Sequence, residues 1–151
     1  MGYSIMVKMQ KTDLIILKNL RKDARIKMTA ISRAEGIPET TIFDRIRCMT
    51  RKEIIKKFYA CLDFERLGYN IRLFIAIKAK NSNEKKALVE SLSNKANINN
   101  IKLAEGNAIL SELIFQNMRQ ADDFISLMKA NNYKIEHYFI TEELKTEEFL
   151  P

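Results

Sequence analysis

The chain is poor in the residues that interrupt or cross-link a fold. Its 151 residues include four Gly and two Pro, too few for low-complexity linkers, and nothing recurs at a solenoid period. Soft metal ligands are equally scarce, with two Cys and one His in all. Cys48 and Cys61 fall in different elements without metal-ligand spacing, and His137 does not complete a zinc set with them, so both thiols read as free and no metal is expected. No apolar run approaches about 18 residues, so no membrane span is expected. The opening MGYSIMVKMQ is too short and too weakly patterned for a signal peptide, which makes a cytoplasmic location the expectation. Constellations for catalysis are missing too. Ser4, Ser32, Ser91 and Ser111 have no histidine at a telling distance, and Asp122-Asp123 and Glu142-Glu143 read as solvated surface. No catalytic residue and no cofactor is expected.

What the chain does have is a hydrophobic content of 46% and an uneven charge. Residues 1–60 hold 14 Lys and Arg against 6 Asp and Glu, a net of +8, whereas residues 61–151 are close to neutral at −1. A basic segment joined to a neutral one is the electrostatic footprint of a nucleic-acid-binding module attached to something that does other work. The length suits one domain or two small ones, and the charge split favours two.

Within the basic part, Met28–Glu53 reads as a helix, a tight turn and a second helix. The first offers Ile31 and Ala34 inward and runs out at Gly36, which closes a helix in the left-handed conformation. Ile37 points back to the core, and Pro38 suits the first position of the second helix. At about 100° per residue, Ile42, Ile46 and Met49 form one stripe, while Thr40, Asp44, Arg47 and Arg51 gather on the opposite side. One face packs and the other is free to read bases, with Thr41 beside it. Arg45 flanks the apolar stripe, which suits it to a phosphate or to an internal carboxylate such as Asp23 better than to a base. A solvated amphipathic helix would show the same stripe. The charge split is what favours DNA.

Upstream, Thr12 is expected to cap a helix with Asp13 in its first turn and Ile16, Leu17 and Leu20 inward. Downstream, Ile54–Ala60 is apolar and β-branched enough for the strands of a small wing, which would bring Lys56 and Lys57 to the DNA edge; two ordinary solvated lysines remain the other reading. The second half alternates. Asn70–Lys80 has the period of a strand with one buried face. A helix over residues 83–95 follows, carrying Ala87, Leu88, Leu92 and Ala96, then strands near 98–104 and 108–116. A helix near 119–130 on Phe124, Leu127 and Met128 and a last strand over 133–141 complete the order βαββαβ. Two helices on one face of a four-stranded antiparallel sheet make a ferredoxin-like domain, whose other face is expected to be apolar and covered by a second copy of the chain. The fold class is therefore α+β. The acidic tail Glu142–Pro151 reads as partly loose.

These residues resemble the Lrp/AsnC (leucine-responsive regulatory protein) family of transcription regulators. The resemblance rests on Asp13 with Ile16-Leu17 and Leu20, Asp23-Ala24-Arg25, Gly36-Ile37, Arg45-Ile46, Ile54-Ile55, Ala60-Cys61-Leu62-Asp63 and Leu67-Gly68-Tyr69, at the family's spacing without a gap over about 57 residues. It implies a winged helix-turn-helix over residues 1–57, a connecting strand within 58–68 and a ferredoxin-like dimerisation and sensing domain over 69–151. It also implies a homodimer, often an octamer, regulating genes in response to an amino acid. Family members that sense amino acids usually carry an acidic Gly-Asp-Tyr-Asp-like turn. Here the turn is Gly106-Asn107-Ala108-Ile109, without a carboxylate to pair with an α-ammonium, so a different effector or none is at least as well supported. Pro38 stands where the family usually has a capping Ser or Thr, and Glu53 where it usually has a turn Gly.

The leading expectation is a sequence-specific regulator bound to double-stranded DNA, with Thr40, Asp44 and Arg47 at base edges, Arg51, Lys27, Arg25, Lys56 and Lys57 at phosphates, and Thr41 and Arg45 also among the expected DNA contacts. Two alternatives stand beside it. Siroheme decarboxylases are similar to this family in architecture but use histidines, and His137, between Ile135 and Phe139, reads better as a satisfied sheet residue. An architectural DNA-binding protein with little sequence preference would share the basic first half.

Overall fold

The computed structural model describes residues 8–145, so residues 146–151 of the acidic tail lie outside the described residues. The chain divides into two compact units, one within residues 8–61 and the other Leu62–Leu144.

The first unit is three helices, α1 (Lys11–Lys22), α2 (Met28–Glu35) and α3 (Glu39–Arg51). Ile16 of α1, Ile31 of α2 and Ile42 and Met49 of α3 are buried together with Ile55, and Leu17, Leu20, Ile37, Ile46 and Ile54 pack around them. The helix ends differ in detail from the sequence expectations. Gln10, not Thr12, precedes α1, and its N–H donates to the Asp13 carboxylate at 2.9 Å. Pro38 is the cap of α3 rather than its first residue. Ala34 is exposed, because α2 stops at Gly36 (φ +68°) and Ile37 beyond the turn supplies the next core contact.

Among the described residues, no strand lies between α3 and Ile71, the stretch in which wing strands and a connecting strand near Phe58–Leu67 were expected. The reason is visible at the end of α3. The N–H of Glu53 donates to the carbonyl of Thr50, and the N–H groups of Ile54 and Ile55 both donate to that of Met49. This is a Schellman closure, with Ile54 and Met49 as its apolar contact and Glu53 in the left-handed region at φ +56°. Ile54 and Ile55 have given their donors to a helix end and have none left for a ladder. Residues 56–63 then run without secondary structure, and no backbone pairing of theirs is found among the described residues.

The second unit has the anticipated order: β1 (Ile71–Lys78), α4 (Ser82–Ser93), β2 (Ile98–Leu103), β3 (Ala108–Phe115), α5 (Met118–Ala130) and β4 (Lys134–Phe139). The sheet is antiparallel throughout, in spatial order β2-β3-β1-β4. Asn81 and Asn117 cap the two helices through their side chains. Leu73, Ile75 and Ile77 of β1 and Ile109, Leu113 and Phe115 of β3 bury against Leu88 and Leu92 of α4 and Ala121, Phe124, Ile125 and Met128 of α5. Ala87 and Ala96, expected on this face, are exposed.

The other sheet face is not the plain apolar surface expected. The register puts Arg72, Phe74 and Ala76 beside Ile114, Glu112 and Leu110. Glu112 is 8% exposed and accepts hydrogen bonds from Arg72 (3.0 Å and 2.5 Å), Asn99 (2.7 Å) and Asn100 (3.0 Å). Arg72 also donates to Glu143 at 2.9 Å, so the start of the tail is tethered. An acid on a central strand is tolerable there because each carboxylate oxygen is satisfied.

Two left-handed positions in the first unit give opposite mutational outcomes. A left-handed conformation costs a residue with a Cβ about 1–2 kcal/mol. Glu53→Gly should therefore raise stability by about 0.5–1 kcal/mol, after allowing for the freer unfolded chain. Gly36→Ala should lower it by about 1 kcal/mol, since a Cβ there meets nothing and only the backbone conformation is at issue. Urea unfolding of the full chain measures both; the same sign for the two would refute the assignment.

Candidate nucleic-acid interface

The geometry of the candidate interface begins with one ion pair. Arg45 reaches across to Asp13 through two nitrogens, Nε to Oδ1 at 2.6 Å and Nη2 to Oδ2 at 2.5 Å. The Asp13 side chain is 2% exposed and that of Arg45 27%. The Arg45 guanidinium holds the Asp13 carboxyl below the ordinary carboxylate range, against the opposing effect of burial. The internal carboxylate for Arg45 is thus Asp13 rather than Asp23, whose Oδ1 instead accepts from the N–H of Arg25.

With Ile42 and Met49 buried and Arg45 tied to α1, the rest of α3 is fixed in rotation. Thr40, Asp44, Arg47 and Arg51 are exposed on its outer side, and Thr41 is half-buried at the edge. Arg47 and Arg51 make no ion pair among the described residues, so their donors face solvent. Lys27, at the cap of α2, and Arg25 are exposed as well. Lys56 and Lys57 are exposed on the unpaired segment, with the Lys57 ammonium 5.1 Å from the centre of the Tyr59 ring. One outward residue escaped the sequence reading: Phe43, 51% exposed beside Asp44.

Gly106, Asn107 and Ala108 lie in the other unit, where they close the β2–β3 hairpin. Gly106 and Asn107 take consecutive positive φ angles of 63° and 61°. The Asn107 carbonyl accepts from Ala79 N–H at 3.1 Å, and Ala108 N–H donates to Glu105 at 3.2 Å. The Asn107 carbonyl is thereby tied to the chain just beyond β1, and the Ala108 N–H to the turn itself. His137 stands opposite Ile75, its ring edge-on to Phe139 at 6.0 Å. Among the described residues no cluster of His, Cys, Asp or Glu has the makings of a metal site, and no helix is long and apolar enough to cross a membrane.

Comparison with known proteins places this geometry. A family model for winged helix-turn-helix DNA-binding domains matches residues 9–56. The HTH-type transcriptional regulator FL11 of Pyrococcus furiosus is 43% identical over 68 residues, 45% of each chain, so the chain spans about half the length of that curated relative. Along nearly the whole chain the structure superposes on an AsnC family transcriptional regulator from Agrobacterium tumefaciens, with a TM-score of 0.79 at 23% identity, covering 95% of this chain and 97% of that one. The fold is that of the Lrp/AsnC regulators. The transcriptional regulator NMB0573 of Neisseria meningitidis, solved as a complex with L-Met, matches with a TM-score of 0.83 at 18% identity, covering 95% of this chain and 97% of that one.

The ion pair predicts a pH effect with a definite sign. In the wild type, the depressed Asp13 value contributes stability above about pH 4 that is lost as pH falls through it. Arg45→Met leaves a buried carboxylate without its cation and should cost about 2–4 kcal/mol at pH 7. Burial is then opposed only by the Gln10 N–H and the Lys52 charge, and the Asp13 value rises, so the deficit should shrink as pH falls from 7 toward 3. Urea midpoints at several pH values measure it. A deficit independent of pH would show that the pair is not the cause.

Proposed function

We propose that this protein is a sequence-specific DNA-binding transcription regulator of the Lrp/AsnC type, acting as a homodimer or a larger assembly up to an octamer. The observation that carries the reading is the outer side of α3, where Thr40, Asp44, Arg47 and Arg51 are exposed opposite the buried Ile42 and Met49. In a helix-turn-helix this side enters the major groove and its amino-terminal residues meet base edges. Arg47 is suited to a guanine, a contact worth about 1–3 kcal/mol of discrimination. Arg51, Lys27, Arg25, Lys56 and Lys57 would hold phosphates, supplying affinity without sequence information. Arg45 acts through Asp13 as the residue that positions α3, and Thr41 lies at the rim of the contact.

Dimerisation follows from what is left uncovered. Phe58, Tyr59, Leu62 and Leu67 are exposed, and Phe74 and Leu110 lie half-buried on the sheet face without helices. A second copy would cover both, with 1–57 as the DNA-binding domain, 58–68 as the connection and 69–151 as the dimerisation domain. An effector is less well supported. The Neisseria meningitidis regulator was solved with L-Met. In this chain the Gly106-Asn107-Ala108 turn offers no carboxylate, which favours a different effector or none. A cytoplasmic location accords with this reading.

Selection of duplexes from a random pool by the purified protein, followed by titration against salt, tests the proposal. A near-palindrome with half-sites about one helical turn apart is the expected result. Unenriched DNA bound with a steep salt slope would instead mean an architectural protein. On the selected site, Arg47→Ala should relax preference at one base pair per half-site by about 1–3 kcal/mol. Lys56→Ala should weaken all sequences alike and flatten the salt slope by about one unit per contact. If both variants bind like the wild type, this face of α3 does not meet DNA.

A further inference from the structure

We infer that Phe43 reads the 5-methyl group of a thymine in the major groove. The inference rests on the DNA-binding reading above and adds to it a base-specifying residue that is not polar. Phe43 follows the buried Ile42 on α3, about 100° around the helix, on the flank of the Thr40, Asp44 and Arg47 side. Its neighbours one turn away on the helix surface are Glu39, Thr40, Ile46 and Arg47. A single exposed apolar side chain is ordinary on a protein surface. The placement of this one is not. The core of the first unit closes on Ile16, Ile31, Ile42, Met49 and Ile55 without it. Nor does it belong with Phe58 and Tyr59, which sit on the unpaired segment that a second copy would cover. Phe43 is the one large apolar side chain exposed on α3, within its first five residues.

The chemistry narrows what it meets. A phenyl ring neither donates nor accepts a conventional hydrogen bond, so it distinguishes none of the nitrogen and oxygen patterns along a base pair's edge. The thymine methyl is the apolar group the major groove presents, and Phe is among the side chains that contact it. The ring is stiff, so little freedom is lost when it docks. Removing the methyl from water against the ring corresponds to roughly a fourfold gain in affinity per half-site.

The test uses the full chain and the duplex recovered by selection, with each thymine of one half-site replaced in turn by deoxyuridine, which removes only the methyl. The wild type should lose roughly fourfold in affinity at one position and little elsewhere. Phe43→Ala should bind the thymine and deoxyuridine duplexes equally at that position, and Phe43→Leu should retain part of the difference. Matching urea midpoints for the variants confirm that the fold is intact, as expected for a half-exposed side chain. If the wild type is indifferent to every replacement, or if Phe43→Ala keeps the same sensitivity because a threonine methyl of Thr40 or Thr41 makes the contact, the assignment to Phe43 is overturned while the regulator stands. If no duplex is enriched at all, the sequence-specific reading falls, and Phe43 with it.

Discussion

The paired charges of Asp13 and Arg45 govern the candidate interface. An apolar stripe alone holds a helix against its neighbours loosely in rotation, since Ile42, Ile46 and Met49 would bury nearly as well after a turn of some tens of degrees. A bidentate pair does not allow that freedom, because both guanidinium bonds must keep their lengths and angles at once. The carboxylate is also fixed from its own side. Asp13 lies in the first turn of α1, where the helix favours negative charge, and accepts the N–H of Gln10. A carboxylate so buried would cost several kcal/mol without a cation. The result is that α1 dictates which residues of α3 look outward, although α1 itself contributes nothing to that outward face.

This dependence explains what the sequence disclosed and what it withheld. The helices around Gly36 and the alternation of Ile71–Lys78 are local facts, written in the spacing of apolar residues and the placement of a glycine. The order βαββαβ follows from several such facts in series. The partner of Arg45 is not local. Asp13 and Asp23 are acids at opposite ends of α1, and only the packing of α1 on α3 chooses between them across 32 residues. The absence of a strand directly after α3 has a related reason. Ile54 and Ile55 have strand-forming side chains, but their N–H groups were claimed by the Met49 carbonyl, and side-chain type does not reveal where a backbone donor goes. Phe43 was passed over because pattern reading sorts apolar residues inward.

The second unit carries a parallel lesson. Alternation along β1 correctly assigned Leu73, Ile75 and Ile77 to the helix side, and by elimination left Arg72 and Phe74 opposite. Elimination does not predict that Glu112 would gather Arg72, Asn99 and Asn100 around itself. Such a cluster changes what the face is able to bind. An apolar sheet surface accepts many partners, whereas a satisfied buried charge at its centre penalises any partner that would displace Arg72 without replacing its hydrogen bonds. The second copy proposed above would therefore have to dock on this face without displacing Arg72 from Glu112.

The need for a second copy also follows from the DNA side. A regulator must prefer its site by roughly 4–10 kcal/mol over the non-specific sites that compete for it. One recognition helix carrying a single arginine suited to guanine, a threonine, an aspartate and an exposed phenyl ring supplies about 1–3 kcal/mol at its best contact and less at the others. The net charge of +8 in residues 1–60 does not close that gap, because phosphate contacts raise specific and non-specific binding together. Two copies joined rigidly double the discrimination and add the constraint of half-site spacing, which a wrong sequence does not satisfy. Under the proposed dimer, the exposed Phe58–Leu67 segment and the sheet face around Glu112 would therefore serve recognition as well, as the places where the second half of the specificity attaches.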